Sequence, residues 1–167
     1  MAVYRILNEN IKNIIDYIVT NDELRLLLGD SGKDALSNSP SSIGIKELME
    51  NHIYPYANLS EPEDNQKSFI CIYLWNAKNS GKNNVYQRDT KLFVDIICHE
   101  KIWTMDDGLI RPLLLLDDLD TQIPEIETKS IRGSFVYLDT NYIHYNDKFC
   151  GYRLIYSITN SSKGCSN

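Results

Sequence analysis

Three histidines, His52, His99 and His144, are the side chains whose chemistry is best suited to a metal site. His99 and His144 lie in segments with strand-like patterns and could approach if those strands pair, with Asp95 or Glu100 as oxygen ligands for zinc or iron. No two histidines have the local spacing of a metal motif, so ordinary hydrogen-bonding roles are favoured. We therefore predict no metal and no cofactor.

Five acidic residues lie directly before or within the segment with the clearest helical pattern. Asp106 and Asp107 precede this segment, and Asp117, Asp118 and Asp120 lie within it. A calcium loop needs oxygen ligands at alternate positions around a glycine turn, which a helix does not offer. We expect the first two acids to complement the positive N-terminal end of the helix and the other three to form a solvated face.

Two further patterns resemble enzyme motifs but are incomplete. Glu127-Thr128-Lys129 matches half of a metal-dependent nuclease motif, but it follows Pro124 in a loop and has no acidic partner on a preceding strand. The segments 29–33 and 80–83 resemble phosphate-binding loops, but they lack the spacing between glycines and the Ser or Thr after the lysine. Since no nucleophile, base and orienting group occur together, we predict that the protein is not an enzyme.

The sequence has four cysteines, and no two of them have C-x-x-C spacing: Cys71, Cys98, Cys150 and Cys165. Cys71 and Cys98 lie inside apolar runs, where a buried thiol is the usual role of a cysteine. We expect all four to be reduced, as in a reducing compartment.

Composition is that of an ordinary folded domain. The chain has 167 residues, 43% of them hydrophobic, and a net charge of −6. This length suits a single domain over 1–167, with residues 161–167 as a disordered tail. The acidic balance argues against a protein that grips nucleic acid by its phosphates, so we expect no sequence-specific nucleic-acid binding. No apolar run is long enough to cross a membrane, and the N-terminus is unlike a secretory signal, so we expect neither membrane association nor secretion.

The elements that must position these residues are helices first and strands later. Ile11, Ile14, Ile15 and Ile18 form one helical stripe. Thr20 or Asn21 is expected to cap a second helix that stops at Gly29, and Ser42 a third over 43–52. The last predicted helix has its buried stripe at Leu109, Leu113, Leu116, Leu119 and Ile123.

Four strands are predicted, at 69–75, 91–103, 133–145 and 151–160, from runs of β-branched and aromatic residues. They form two hairpins, which predicts an α+β fold with an antiparallel four-stranded sheet and helices packed mainly on one face. The first strand is apolar on both faces and must be covered on both, which oligomerisation could provide. The polar segment 76–90 joins the first two strands as a long tip that carries Lys78, Lys82 and Arg88.

This order of elements resembles a known family. A helical N-terminus precedes a strand pair with a long polar tip. The segment from Ile102-Trp103 to Gly108-Leu109-Ile110-Arg111-Pro112 then enters a helix that ends Leu116-Asp117-Asp118-Leu119-Asp120, and a closing hairpin follows. The pattern is similar to that of tail terminator and head-to-tail joining (neck) proteins of tailed bacteriophages.

The resemblance implies a structural virion protein in the tail or neck, assembled in the cytoplasm of a bacterial host. Such a protein forms a ring of identical copies, typically a hexamer, which caps the tail tube and contacts the neck or connector protein. Members of the family share no single set of functional residues, so the contact residues are inferred from their positions in this chain. We expect tube or subunit contacts at Lys78, Lys82 and Arg88, and subunit or neck contacts at the helix surface of Asp117, Asp118 and Asp120. A neck adaptor or tail-completion protein is the alternative, and a small metal-dependent nuclease is an alternative from a different class.

Overall fold

Helices come first along the chain and strands dominate its second half, as the sequence predicts. The computed structural model describes residues 3–40, 43–58, 65–79, 87–126 and 134–161. The elements in this part of the chain are α1 (Val3–Thr20), α2 (Asp22–Gly29), α3 (Ile45–Asn51), β1 (Ile53–Tyr54), β2 (Ser68–Asn79), β3 (Gln87–His99), α4 (Arg111–Gln122), β4 (Val136–His144) and β5 (Phe149–Ser161).

The strands form one five-stranded mixed sheet in the order β1-β2-β3-β5-β4. The prediction of an antiparallel four-stranded sheet is therefore wrong, although the fold is α+β and both predicted hairpins are present. The strand that sequence reasoning missed is β1, whose two residues run parallel to Ile70 and Cys71 of β2. It is short because Pro55 follows at once, and proline has no N–H to donate to a strand ladder.

The helices pack on one face of the sheet and enclose the main core there. Ile14 and Ile18 of α1 are fully buried, as the predicted stripe requires. They pack with buried residues of the strands that alternate along one face, Ile70, Ile72, Leu92, Val94, Ile96, Leu154 and Tyr156. Each buried aliphatic side chain of this kind contributes about 1.5–3 kcal/mol to folding.

The opposite face of β2 is covered by aromatic side chains of the same chain. Phe69 is fully buried there, with its ring centroid 5.7 Å from that of Tyr54 and 5.5 Å from that of Tyr145. Cys71 and Ile97 lie in the same small cluster. At this end of β2 the cover expected on both faces comes from within the chain, without another copy.

The predicted N-terminal caps of α2 and α3 have different outcomes in the structure. The side-chain oxygen of Asn21 accepts from the main-chain nitrogen of Leu24 at 3.0 Å, so the predicted cap of α2 is confirmed. The predicted cap of α3 is wrong, since Gly44 occupies that position and contributes no side-chain hydrogen bond. The helix therefore starts at Ile45, later than expected.

The buried face of α4 differs from the predicted stripe. Pro112, Leu115, Leu119 and Ile123 are buried, whereas Leu109 and Leu113 are exposed. Four consecutive leucines, residues 113–116, place an apolar side chain in every direction around the helix, so spacing alone does not select the face that meets the sheet.

Cys71 and Cys98 are buried and unbonded to other cysteines, as predicted. Burial raises the pKa of the Cys98 thiol to about 12, which keeps it protonated and unreactive. Within the described ranges, no helix combines the length and apolar character needed to cross a membrane.

Candidate functional site

The structure places two of the three predicted basic contact residues in strands. Lys78 and Arg88 lie on β2 and β3, where the backbone of Lys78 pairs with Asp89 and that of Arg88 with Asn79. The sequence analysis placed both residues in the connecting segment 76–90, whereas the structure places them in strands. Lys82 lies outside the described residues.

Two of the three predicted acidic contact residues make hydrogen bonds inside the protein. Asp118 accepts from the hydroxyl of Tyr17 at 2.5 Å and from the side-chain amide of Asn21 at 3.0 Å, which joins α4 to the α1–α2 corner. Burial, together with the hydrogen bond to Asp118, raises the pKa of Tyr17 to about 12.

Asp120 has a similar internal role on the other flank of α4. It accepts from the hydroxyl of Tyr156 on β5 at 3.0 Å, and burial of this tyrosine, aided by the nearby carboxylate, raises its pKa. Asp117 is the one of the three acids that is exposed. Two of the three acids on this helix face therefore accept hydrogen bonds that connect α4 to neighbouring elements.

Arg111 holds the loop that resembled a phosphate-binding loop. Its guanidinium is fully buried and donates to the main-chain oxygens of Leu27 at 3.0 Å, Asp30 at 2.5 Å and Gly32. Burial lowers the pKa of the Arg111 guanidinium. These carbonyls at the end of α2 would otherwise lack partners, so Arg111 fixes the end of that helix.

A second polar cluster ties β2, β3 and β5 together on the face that the helices leave open. Arg153 donates to both oxygens of Asp95, at 2.6 and 2.8 Å. Tyr73 donates to Asp95 at 2.9 Å and accepts from Arg153 at 2.8 Å. The hydrogen bond to the carboxylate of Asp95 raises the pKa of Arg153. Because the three side chains bond to one another across three strands, this cluster is a structural clamp.

The histidines do not form a metal site. His99 lies on β3 and His144 on β4, and β5 separates these two strands. His99 is buried with its ring against Phe149, at 5.0 Å between centroids, whereas His144 is exposed. In the described ranges, His, Cys, Asp and Glu form no group of three that could hold a metal ion. The nuclease-like residues 127–129 lie outside these ranges.

Exposed apolar side chains are concentrated in two places instead. The first is the β4 edge, where Val136, Tyr137, Leu138 and Tyr142 are 54, 46, 46 and 59% exposed. The second, which we call the α4 flank, consists of Leu109, Ile110 and Leu113 at the start of α4. Large exposed apolar groups on neighbouring elements are typical of protein contact surfaces.

Two tyrosines of the β4 edge lie on the same side of the sheet as the α4 flank. Tyr137 contacts Tyr156 and Tyr142 contacts Tyr152, with centroids 6.1 and 5.7 Å apart, so both side chains share the face covered by α4. Leu113 lies two helical turns before Asp120 and therefore on the same flank of α4. The hydrogen bond from Tyr156 to Asp120 holds this flank towards β5. Sequence reasoning missed this site because it assigned Leu113 to the core.

Comparisons with known proteins give one family. A sequence model of the YomW family matches residues 21–158, which include β1 to β4, all but the last three residues of β5, and the helices α2, α3 and α4. No curated protein matches the chain.

Proposed function

The chain belongs to the YomW family, whose name is phage-derived and comes from an SPbeta-like prophage, and we propose that this phage-related protein is a ring-forming tail terminator. In this proposal, identical copies assemble in the bacterial cytoplasm into a ring, typically a hexamer. The ring caps the tail tube in the virion and joins it to the neck or connector protein.

The observation that carries the proposal is the exposed apolar β4 edge. An edge strand presents a row of main-chain donors and acceptors, and proteins that remain monomeric usually protect it with charges or proline. In its nine residues β4 has one acidic residue, Asp139, no lysine or arginine and no proline. Such an edge supports self-assembly, which a terminator ring requires.

The polar groups support a structural role over a catalytic one. Two of the acids and two arginines described above are engaged in bonds between elements, at Asp118, Asp120, Arg111 and Arg153. The net charge of −6 is also compatible with a ring through which DNA passes without being held. The α4 flank then remains as a surface for the tube or the neck.

The test is electron microscopy of phage particles made without this protein. Overlong tails, or tails that are not joined to heads, are expected, and the wild-type gene supplied separately should restore normal particles. Tails of normal length that remain unjoined would favour the alternative of a neck adaptor or tail-completion protein. Normal infectious particles would exclude the proposal.

The basic residues provide a second, milder perturbation of the same function. Replacing Lys78, Lys82 and Arg88 together by serine should leave the far-ultraviolet circular dichroism spectrum unchanged and reduce the fraction of heads joined to tails. A matched variant replaces Lys12 and Lys46 by serine, since both are exposed lysines on helices far from the tip in sequence. Equal joining by both variants would remove the tip from the proposal.

A further inference from the structure

We propose that neighbouring copies join by pairing β4 of one copy with the free edge of β2 of the next, in antiparallel orientation. The sheets then continue from copy to copy through residues 136–139 of β4 and 73–76 of β2, because β1 already occupies the edge of β2 at Ile70 and Cys71. This inference rests on the proposed function in taking the ring to be built from copies of this chain, and it names the surfaces that make the ring.

Each end of the sheet has strand residues with a partner on one side only. Among the strands that the structure describes, β4 is the last and pairs with β5 alone. At the other end, the described part of the chain covers β2 with β1 at Ile70 and Cys71. Among the described residues, the part of β2 from Tyr73 to Asn79 therefore pairs with β3 alone. The two free edges are unlike, which favours a head-to-tail contact, and contacts of that kind form a ring when the rotation between neighbouring copies closes.

The strand directions suit this contact. β2, β3, β5 and β4 alternate in direction across the sheet, since each neighbouring pair is antiparallel. β4 therefore runs opposite to β2. If the sheet of the next copy continues the first, its β2 lies antiparallel to β4 and the alternation is kept without a break.

The two free edges also lie at the same level of the sheet. Val136 is opposite Ser157, Ser157 is opposite Lys91, and Lys91 is opposite Asn76. The next shared row connects Asp139, Ile155, Phe93 and Tyr73 in the same manner. The apolar half of β4 is therefore level with the free part of β2, and an unshifted contact places Val136 opposite Asn76 of the next copy.

Matching irregularities in the two edge strands specify the register. Between these two rows, β3 and β5 each have one intervening residue, whereas β4 has two and β2 has two, because Leu138 and Trp75 are extra residues at bulges. Either bulge alone would put an edge strand out of step with a regular partner. Paired with each other, the two strands have equal numbers of residues, and Tyr137 falls opposite Trp75 and Leu138 opposite Leu74.

The side chains at this contact are those expected of a buried interface. Trp75 is 65% exposed and stacks on Phe93 with the ring planes 9° apart. Trp75 lies on the face of Phe93 and Tyr137 on the face of Tyr156, so the contact places exposed aromatic side chains on both faces of the sheet, and tryptophan and tyrosine are frequent anchors of interfaces. The partner that this surface fits is therefore a second copy of the same chain.

The first test uses paired cysteines, with Cys150 and Cys165 replaced by serine in every variant. Val136→Cys combined with Asn76→Cys should give, on mild oxidation, a ladder of dimers, trimers and larger species on a non-reducing gel. Each single variant should give no ladder. The matched control combines His144→Cys with Asn76→Cys, because His144 lies eight residues along the same exposed strand, roughly 26 Å away. This control should also give no ladder.

The second test measures assembly by size-exclusion chromatography with light scattering. Tyr137→Lys should weaken self-association at least tenfold, because it places a charge in the middle of the contact. Met49→Lys is the control, since Met49 is 50% exposed and lies on α3, which belongs to neither of the two proposed contact strands. Circular dichroism of both variants checks that they remain folded.

Several results would overturn the pairing. These are an equal ladder from the His144 control, dimers from a single-cysteine variant of β4, which would show two β4 strands paired with each other, or a monomeric wild-type protein at every concentration. None of these decides the terminator function, which tail length in mutant particles tests separately. A correct ladder together with normal particles lacking the protein would retain the pairing and reject that function.

Discussion

Arg111→Met should lower the free energy of unfolding by about 3–5 kcal/mol. Methionine keeps most of the apolar stem of arginine but offers no hydrogen-bond donor. The change therefore removes the guanidinium that donates hydrogen bonds to the main-chain oxygens of Leu27, Asp30 and Gly32.

The magnitude follows from the number of bonds and the burial of the donor. A hydrogen bond to a charged group contributes about 1.5–3 kcal/mol, and Arg111 makes bonds to three carbonyls. Part of this loss of stability is offset, because folding of the variant no longer requires the transfer of a guanidinium from water to a fully buried position. With a urea dependence of about 2 kcal/mol per molar, a loss of about 4 kcal/mol lowers the midpoint of unfolding by about 2 M.

Urea unfolding followed by circular dichroism measures this shift. Lys12→Met is the matched control, since the Lys12 side chain is 67% exposed and its ion pair lies on the surface, so the midpoint should hardly change. Arg111→Lys should fall between the two, because an ammonium can reach some of the carbonyls but lacks the planar fork of arginine. A midpoint for Arg111→Met within about 0.3 M of wild type would refute the role given to this residue.

Two further predictions concern the sheet and the tyrosines. Gly151→Ala should destabilise the protein by at least about 3 kcal/mol or prevent folding, because the new Cβ would lie 1.8 Å from a main-chain oxygen of β3. Gly44→Ala, whose Cβ has no neighbour closer than 3.9 Å, is the control, and equal stability of the two variants in thermal unfolding would contradict the close approach. As the pH rises from 10 towards 12, stability should fall, because Tyr17 ionises near 10 when unfolded but keeps its proton to about 12 when folded. Tyr17→Phe should show a shallower fall in urea unfolding at pH 9, 10 and 11, and an unchanged slope would contradict this assignment.

Local patterns predicted the elements better than their arrangement. The helical stripe of α1, the Asn21 cap and both hairpins could be predicted because each depends on residues close in sequence. β1 could not, since two residues give no periodicity, and its pairing with β2 depends on a partner far along the chain. The predicted four-stranded sheet was wrong for this reason.

The role of Arg111 could not be predicted from local spacing, although the sequence contains a signal. A positive charge in the first turn of a helix opposes the helix dipole. Arg111 stands at the first position of α4, directly before Pro112. Such a residue is better explained by a partner elsewhere, and here the partners are carbonyls at the end of another helix, 79–84 residues away in sequence.

The candidate interface depends on a property that no sequence pattern expresses. Val136, Tyr137 and Leu138 have the composition of a buried strand, and they are exposed only because β4 is the last strand of the sheet. A bulge is likewise defined by the partner strand, so Leu138 and Trp75 become extra residues only beside β5 and β3. A single bulge at an edge discourages pairing with another chain. Bulges at the same level on both free edges restore a common register, and for that reason this chain suits a copy of itself better than an unrelated strand.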